Sequence, residues 1–379
     1  MTDVLVHGDS MRSPELRHEV PVAIPDAFLY VEHDGRRAVV VNAFEMPRIA
    51  AVAPTIELVA PEELGQDELI KQGLPRHEVD NLVYLRGVQR LGVTSAVVPP
   101  RFPLELAELL RREGIELTVD RDLFVERRRA KNAAELVGIR RAQRACEAAM
   151  DAARELMRRA ERRNGGLVLE DGPLTSERLK LAVEQVFSEH GVVADEFIVS
   201  HGEQTAIGHE AGSGEIKPDE PIVLDLFPRD RATGCYSDMT RTFVVGTPSD
   251  ELLEYHRLSK EALDRTLEAT KPGVETRSLH VMASDVFEAA GYPTQLSKRA
   301  GEVLQDGFFH GLGHGVGLEV HEQPNVGRMP GQTLIPGDVI TLEPGCYRQG
   351  YGGVRLEDIV LVTEDGHENL TQYPYDLEP

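Results

Sequence analysis

Apolar residues recur along this chain with two different spacings, and each spacing predicts a different element. Between residues 133 and 163 they return every three or four positions, as at Leu136, Ile139, Ala142 and Cys146, which predicts one buried face of a long helix. The same spacing predicts further helices at residues 103–113, 175–190, 249–269 and 276–290. Short apolar runs predict strands at residues 27–31, 37–41, 81–85, 94–98, 197–199, 221–227, 234–245, 339–343 and 353–362.

The length of the chain predicts two domains. A chain of 379 residues is long for a single hydrophobic core. Residues 1–126 read as a small α/β domain, with a hairpin turn at Asp34-Gly35, and they assemble no chemical site. A basic junction at residues 127–132 opens the second domain, which we place at residues 127–379. The candidate chemistry lies in this second domain.

Charge and cysteine content exclude several classes of function. The chain has 41 basic and 64 acidic side chains, a formal charge of −23, so it lacks the basic surface that binds nucleic acid or anionic membranes. Its three cysteines are far apart and form no Cys-x-x-Cys pair, which argues against a disulfide framework and a thiolate zinc site. The first residues resemble no signal peptide, and no apolar run would span a bilayer. We expect a cytoplasmic protein.

Residues 308–324 combine histidines with alternating glycines. The segment holds His310, His314 and His321, and its glycines stand at 311, 313, 315 and 317. On an extended strand His310 and His314 would face the same side, and the glycines would let another backbone or a ligand approach closely. Such a segment suggests a metal or proton-transfer centre. The alternative is a Gly-rich strand with incidental histidines, and the carboxylates elsewhere in the chain decide between the two.

Four acids lie in or beside apolar strands of the second domain: Asp225, Asp238, Glu343 and Glu357. An ionised carboxylate inside an apolar strand is costly unless it is paired or coordinated, so Asp225 and Asp238 on neighbouring strands call for a cation. Each of the four acids taken singly has the alternative of a salt-bridged or surface carboxylate, and the set as a whole favours a metal centre. Together with His314 they form an oxygen-rich donor set that suits Mn²⁺, and Co²⁺ or Zn²⁺ less selectively. Four negative charges balance two divalent ions, and a pair of metals that acidifies a shared water is an arrangement used for hydrolysis.

These residues resemble a known family, the pita-bread metallopeptidases, and within it the prolidase and aminopeptidase P branch. The resemblance covers most of residues 130–379, and the N-terminal half resembles, to a lesser extent, the creatinase-like domain of that branch. It implies an α+β fold with a pita-bread catalytic domain at 127–379 after a creatinase-like domain at 1–126. The matching motifs are Asp225, Cys235-Tyr-Ser-Asp238-Met-Thr-Arg-Thr242, His310-Gly-Leu-Gly-His314-Gly-Val-Gly-Leu-Glu-Val-His321-Glu, Thr341-Leu-Glu343-Pro-Gly and Val354-Arg-Leu-Glu357-Asp.

The resemblance also implies a role for each site residue. Asp225 and Asp238 would chelate and bridge two metal ions, and His314, Glu343 and Glu357 would complete their coordination. Glu343 would also carry a proton from a metal-bridging hydroxide to the leaving nitrogen. The remaining implied roles are carbonyl binding by His209 and His321, lining of the pocket by His310, and support of the metal-binding acids by Arg355, Thr240 and Arg241.

The function that the resemblance implies is hydrolysis of the bond between an N-terminal residue and proline in short peptides, by a protein expected to form a homodimer. Two positions depart from the family pattern. Phe227 stands where the family usually has glycine, and Asn325 follows the His-Glu-x-Pro segment where prolidases place an arginine for a dipeptide's carboxylate. The missing cation favours an Xaa-Pro aminopeptidase acting on longer peptides, with Xaa-Pro dipeptidase as the alternative.

Other functional classes fit less well. A non-catalytic peptide-binding protein of the same fold would be expected to lose metal ligands, whereas all five are present here. A creatinase-like amidinohydrolase would work without the metals. The glycines of residues 311–317 alternate, so they do not form the Gly-x-Gly-x-x-Gly pattern of a dinucleotide-binding loop. The chain also lacks the Gly-x-Ser-x-Gly pattern of serine hydrolases.

Overall fold

The computed structural model describes residues 2–379, and contacts between residues divide the chain into two units. The first unit extends to Arg128 and includes residues 232–234, and the second contains residues 129–231 and 235–379. Among residues 2–379, no helix is both long enough and apolar enough to cross a membrane.

The first unit is built on a six-stranded mixed sheet in the order β4-β3-β2-β1-β5-β6. Its strands are β1 (Val4–Gly8), β2 (Phe28–His33), β3 (Arg36–Val40), β4 (Glu57–Val59), β5 (Ser95–Val98) and β6 (Glu116–Val119). Its helices are α1 (Pro14–Glu19), α2 (Met46–Val52), α3 (Gln66–Lys71), α4 (Arg76–Arg90), α5 (Leu104–Arg112) and α6 (Arg121–Arg129). The turn between β2 and β3 has positive φ at Asp34 and Gly35, as the predicted hairpin requires.

The strand predicted at residues 81–85 is wrong, because this segment lies inside α4. The buried positions Val79, Val83 and Gly87 are four residues apart, which is the period of a helix. A five-residue apolar run fits either a strand or a turn and a half of helix, and here the longer pattern decides.

The second unit contains four helices and most of the strands. The helices are α7 (Ala133–Arg159), α8 (Ser176–Glu189), α9 (Asp250–Ala269) and α10 (Thr276–Ala289). The strands before α9 are β7 (Glu161–Arg163), β8 (Gly166–Leu169), β9 (Gly172–Pro173), β10 (Val192–Val193), β11 (Ile198–His201), β12 (Pro221–Leu226), β13 (Arg229–Asp230) and β14 (Met239–Val244). The strands after α10 are β15 (Asp306–Gly307), β16 (Gly313–Gly315), β17 (Glu322–Val326), β18 (Val339–Leu342), β19 (Gly345–Arg348), β20 (Gly352–Arg355), β21 (Asp358–Val362) and β22 (His367–Asn369).

Two helix pairs each cover one sheet of the second unit. Helices α7 and α8 share a core with the sheet β11-β12-β14, through residues such as Met150, Val183 and Leu224. Helices α9 and α10 share a second core with β17-β16-β18-β21-β22, through residues such as Phe287 and Ile340. Because side chains alternate along a strand, residues facing away from the helices are free to carry polar chemistry.

Helix α7 ends four residues earlier than predicted, at Arg159. Asn164 and Gly165 both have positive φ, so they form a hairpin turn between β7 and β8 instead of a helix end. The hairpin takes residues 161–163 into a strand, which the helical spacing of the sequence did not reveal.

The strands that carry the candidate site are shorter and more broken than predicted. Strand β14 begins at Met239, so Asp238 lies just before it and not in its middle. The predicted strand 353–362 is divided into β20 and β21, and Glu357 lies between them. Of the Gly-His segment, only Gly313–Gly315 and the residues from Glu322 onward are strand. Each break leaves a side chain free of strand alternation, so that it can point toward a common centre.

Candidate metal centre

Asp225 and Asp238 come from neighbouring strands of one sheet. Asp225 lies in β12, opposite Ile198 of β11 and Thr240 of β14, and its Oδ2 accepts a hydrogen bond of 2.7 Å from Arg355. Asp238 is 4% exposed, and its Oδ1 is buried without a hydrogen-bond partner among the described residues. An unpaired buried carboxylate costs several kcal/mol, so the position of Asp238 calls for a cation or a proton.

His314 lies in the middle of β16 and faces the same centre. Its backbone N–H donates to Thr341 Oγ1 over 3.1 Å, and its ring Nδ1 donates to the Gly315 carbonyl over 3.1 Å. The neutral ring therefore presents a lone pair at Nε2, which lies 3.7 Å from Asp238 Oδ2 and 3.6 Å from Glu343 Oε1. A lone pair facing two carboxylates is unfavourable unless a cation lies between them.

Gly313 makes this placement of β16 possible. A Cβ at position 313 would lie 2.0 Å from the Thr341 carbonyl oxygen on the adjacent strand β18, so only glycine fits there. The predicted close backbone approach at the alternating glycines is thus present. It is produced by packing of β16 against the neighbouring strand β18, and Glu343 directly follows the last residue of that strand.

Glu343 and Glu357 follow strand ends that point at the same cavity. The backbone N–H of Glu343 donates to the Leu312 carbonyl over 2.7 Å, which holds the residue beside β16. Glu357 is 2% exposed, and its Oε2 accepts a hydrogen bond of 2.7 Å from the Thr240 hydroxyl. Its backbone N–H donates to the Thr240 carbonyl over 3.1 Å, which connects the two sheets.

All five predicted metal-ligating side chains line one cavity of about 220 Å³. In three of them, Asp238, His314 and Glu357, one ligand atom each lies within 4.8 Å of the others. The set contains carboxylate oxygens and one imidazole nitrogen, which are the donors that Mn²⁺, Co²⁺ and Zn²⁺ accept. The residues present therefore fit a divalent metal centre.

The pKa values of the acids show how strongly this arrangement resists ionisation without a cation. Burial, reinforced by the charges of Glu357 and Asp225, raises the pKa of Asp238 well above its ordinary value. Burial and the charges of Glu343 and Asp225 do the same to the pKa of Glu357. Burial raises the pKa of Glu343 to about 8, and Arg355 only partly offsets it. Burial also lowers the pKa of His314 to about 4, so this ring is neutral at pH 7.

Of the three residues expected to support the acids, Arg355 lines the cavity, whereas Thr240 and Arg241 do not. Arg355 lines the cavity and binds Asp225, and its Nε donates to the Thr240 hydroxyl over 3.3 Å. Arg241 does not line the cavity. It is buried behind it, where it donates to the carbonyl oxygen of Glu357 over 2.7 Å and to Asp358 over 2.9 Å. Thr240 and Arg241 thus fix the side chain and the backbone of Glu357, respectively.

The three remaining histidines also line the cavity. The His321 ring lies 4.2 Å from the His314 ring, centroid to centroid, and burial and the neighbouring His209 lower the pKa of His321. His310 is neutral, because burial lowers its pKa to about 3, with Arg355 as the next cause. His209 is exposed, on a loop at the edge of the cavity.

Tyr347 is a cavity residue that the sequence analysis missed. Its hydroxyl accepts a hydrogen bond of 3.1 Å from Arg355 and donates one of 2.9 Å to Nε2 of His310. The β19–β20 hairpin places Tyr347 opposite Gly353, diagonal to Arg355 on the same face. Pairing residues 345–348 with 352–355 across the Gly350 turn would have revealed it.

Apolar side chains form the rest of the wall, and they were also missed as a group. Ile198, Phe227, Phe309 and Val320 line the cavity. Phe227, the first departure from the family pattern, follows Asp225 by two residues and therefore emerges on the same side of the chain. The cavity thus combines a charged floor with an apolar wall, as small-molecule and peptide sites commonly do.

Comparison with known proteins identifies the family. The model of metallopeptidase family M24 matches residues 137–364. The chain belongs to this family. The Xaa-Pro dipeptidase of Pyrococcus furiosus is 36% identical over 198 residues, which are 52% of this chain and 53% of that protein. An uncharacterised peptidase of Staphylococcus haemolyticus is 32% identical over 270 residues, 70% of this chain and 69% of that protein. The chain spans about half the length of the curated Xaa-Pro dipeptidases that it matches.

Solved structures of a prolidase and an X-Pro aminopeptidase extend the likeness to the whole chain. The prolidase from Pyrococcus horikoshii OT3 has a TM-score of 0.76 and 25% identity, covering 100% of this chain and 95% of that chain. The X-Pro aminopeptidase from Thermotoga maritima has a TM-score of 0.78 over 98% of this chain and 96% of that chain, and at 22% identity it shows the fold alone. The expected fold class, a pita-bread domain after a creatinase-like domain, and the expected family branch are confirmed. The boundary at residue 126 stays a prediction.

Proposed function

We propose that this M24 family member hydrolyses the bond between an N-terminal residue and proline in short peptides, and that it uses two divalent metal ions. The observation that carries the proposal is the convergence of four carboxylates and His314 on one cavity, in which Asp238 and Glu357 are buried and Asp238 Oδ1 has no partner among residues 2–379. Such a centre requires cations, and a paired metal site is a known device for hydrolysis.

Asp225, Asp238, His314, Glu343 and Glu357 would hold the metal ions, with Mn²⁺ preferred and Co²⁺ or Zn²⁺ as alternatives. The bound ions would acidify a water and polarise the scissile carbonyl. Arg355 would orient Asp225, since its guanidinium lies 2.7 Å from Asp225 Oδ2. Thr240 would orient Glu357 in the same way, through its 2.7 Å hydrogen bond.

The cavity residues would carry the proton and bind the peptide. Glu343 would accept a proton from the attacking water and deliver it to the proline nitrogen as the C–N bond breaks. Neutral His321 would donate its ring N–H to the carbonyl oxygen, on which negative charge develops, and His209 would assist from the cavity edge. His310 and Tyr347 would line the peptide-binding side through their mutual hydrogen bond of 2.9 Å.

The charges in the cavity favour peptides longer than two residues. Of the described residues that line the cavity, Arg355 is the only arginine or lysine, and it is committed to Asp225 and Tyr347. A dipeptide would place its free carboxylate near four acids without a dedicated cation. The second candidate is Xaa-Pro dipeptidase activity, which is favoured by the similarity to the Xaa-Pro dipeptidase of Pyrococcus furiosus.

A peptide-length series tests the proposal. Purified protein loaded with Mn²⁺ should cleave Xaa-Pro-Xaa tripeptides and tetrapeptides faster than Xaa-Pro dipeptides, and it should spare matched peptides with alanine in place of proline. Equal cleavage of the alanine peptides would contradict the proline requirement. No turnover of any peptide by metal-loaded protein would refute the function, and it would favour the non-catalytic peptide-binding alternative.

Asn325→Arg should shift the preference toward dipeptides. Asn325 is exposed at the fourth position of β17, four residues after His321, where an arginine would add the missing cation. We expect the ratio of dipeptide to tripeptide kcat/KM to rise about tenfold, as one charge-assisted hydrogen bond would allow. Asn325→Gln, which adds length without charge, is the control. An unchanged ratio in the arginine variant would show that this position does not select for peptide length.

Tyr347→Phe should lower kcat/KM about 10- to 100-fold, because it removes a hydroxyl that is bound to the charged Arg355 and to His310. Tyr351→Phe is the matched control, since Tyr351 also has a hydrogen-bonded hydroxyl, to Ser249, but does not line the cavity. Steady-state kinetics on one tripeptide checks both variants. Equal losses of kcat/KM in the two variants would show that Tyr347 has no specific role in the site.

We further propose a cytoplasmic location and a homodimer. The three cysteines are free and buried, which suits a reducing compartment. Light scattering of the metal-loaded protein tests the dimer, and a monomer at micromolar concentration would contradict it.

A further inference from the structure

We propose that His201 is a positioning residue for His209, and this inference rests on the proposed function. His201 holds together the two ends of the loop that carries His209, and we call these joined ends, residues 201–205 and 211–213, the neck of the loop. The loop runs from β11 to Ser213. It contributes Ala206, Gly208 and His209 to the cavity lining. Among the described residues, the His209 ring has no hydrogen-bond partner. Its place at the cavity edge is therefore set by the backbone of the loop.

His201 joins the two ends of this loop. Its Nε2 lies 3.0 Å from the carbonyl oxygen of Ser213, and its Nδ1 lies 2.7 Å from Glu220 Oε1. Both partners accept hydrogen bonds, so both ring nitrogens donate and the ring carries a positive charge. Burial alone would lower the pKa of His201, but the hydrogen bond and charge of Glu220 outweigh it and raise the pKa. His201 is 9% exposed, so its charge-assisted bonds are sheltered from water.

Gln204 adds a second link across the same neck. Its Nε2 donates to the Ser213 carbonyl over 2.9 Å, and its Oε1 accepts from the Ser213 N–H over 3.2 Å. The backbone of Ser213 is thus bound on both sides by side chains from the entry to the loop. Glu220 is itself oriented, because its Oε1 accepts from the Lys217 N–H over 2.7 Å.

Further contacts fix the parts of the loop next to the neck. The Thr205 hydroxyl accepts a hydrogen bond of 2.8 Å from the N–H of Gly353, on the strand that carries Arg355. Gly212 has φ +83°, and a Cβ there would lie 1.9 Å from the Val199 carbonyl oxygen, so the returning chain touches β11 closely. Only the tip, residues 207–210, depends on its own turn bonds. His209 lies on this tip, so loosening the neck would displace it.

Two substitutions at position 201 separate the two hydrogen bonds of the ring. Asparagine places an amide nitrogen near the position of Nδ1, so His201→Asn would keep the contact with Glu220 and lose the one with Ser213. Glutamine places its amide near Nε2, so His201→Gln would keep the bond to Ser213 and lose the one to Glu220. The positioning role predicts different results for the two variants, whereas a general need for a buried side chain predicts the same result.

Hydrogen–deuterium exchange and kinetics test the role together. In the full-length, Mn²⁺-loaded protein we expect His201→Asn to speed amide exchange in residues 207–213 several-fold and to lower kcat on a tripeptide about tenfold, with KM nearly unchanged. His201→Gln should remain close to the wild type in both amide exchange and kcat. Equal losses in the two variants would overturn the role of the Ser213 bond. Should His201→Asn fail to fold, Gln204→Ala removes the other side-chain link to Ser213 and tests whether the neck positions His209. Amide exchange in residues 207–213 that matches the wild type would then overturn the inference.

A double-mutant cycle with His209→Ala distinguishes positioning from a diffuse structural effect. If His201 acts through His209, His201→Asn will lower kcat in the wild type but not in the His209→Ala background. Additive losses would overturn the inference. The exchange measurement needs no substrate, so it tests the neck of the loop even if the protein cleaves no Xaa-Pro peptide. An absence of cleavage would count against the proposed function and not against the positioning role of His201.

Discussion

Asp238→Asn will abolish peptide hydrolysis and raise the thermal stability of the metal-free protein. Asp238 is 4% exposed and has a buried oxygen without a partner among residues 2–379. Burial and the neighbouring Glu357 and Asp225 raise its pKa, so its ionised form is unfavourable in the metal-free fold. The amide removes that penalty and can donate a hydrogen bond to a neighbouring acid. The same change removes a ligand from the metal centre, so we expect kcat/KM to fall at least about a thousandfold.

Thermal unfolding of the metal-free proteins at pH 8 and steady-state kinetics of the Mn²⁺-loaded proteins measure the two effects. Asp338→Asn is the matched control, because Asp338 is also fully buried but is paired with Arg129 at 2.7 Å, away from the cavity lining. Breaking that pair should cost about 3–5 kcal/mol of stability. Folded Asp338→Asn should keep most of its kcat. If Asp238→Asn lost stability, or kept more than a few per cent of wild-type kcat, the metal-ligand role of Asp238 would be wrong.

The metal-free protein will lose stability as the pH rises from about 4.5 to about 8, and Mn²⁺ will restore it. Burial raises the pKa of Glu343 from 4.5 to about 8, and burial with neighbouring charges raises those of Asp238 and Glu357. Over that interval the folded state binds more protons than the unfolded state, so the free energy of unfolding falls with pH. This contribution to stability is fully present below the pKa values that the three acids have in the unfolded state. It is lost once the pH exceeds their pKa values in the folded state.

In the proposed centre Mn²⁺ would bind the ionised acids of the folded state, so its stabilising effect should grow with pH over the same interval. At a hundredfold excess over Kd the gain would be about 2.7 kcal/mol for each site. Melting temperatures with and without Mn²⁺ from pH 5 to pH 9 measure this gain. Asp238→Asn is the control, and its melting temperature should change less with pH and with Mn²⁺. A metal-free protein whose stability is flat or rises across this interval would contradict the burial of the acids at one centre.

The sequence predicted five of the ten helices, including all four of the second unit, and the residues of the site, because these depend on local patterns. Helices α8 and α10 begin within one residue of the predicted positions, and Thr175 caps α8 by accepting the N–H of Arg178. The four acids stood out because charged residues in apolar runs require partners, whatever the details of the fold. The alternating glycines drew attention to His310, His314 and His321, and the family resemblance supplied His209, Arg355, Thr240 and Arg241; of these seven residues, all except Thr240 and Arg241 line the cavity.

The errors came where a local pattern had two solutions. The run at residues 81–85 fits a strand or a helix, and only the continuation of α4 decides. The Asn164-Gly165 pair fits a helix end or a hairpin turn, and here the turn draws residues 161–163 into a strand. In both places the local pattern fits two structures, so packing against the rest of the unit selects one of them.

By itself, then, the sequence determined the family, the class of fold and the acids that require a cation, since motif order and the cost of burying charge can be read along the chain. Only the tertiary structure decided how these groups meet. Breaks in the strands turn Asp238, Glu343 and Glu357 toward His314, the β19–β20 hairpin brings Tyr347 to Arg355, and His201 reaches across twelve residues to Ser213. These contacts join residues far apart in sequence or across turns, and their geometry follows from register and packing, which no local pattern specifies.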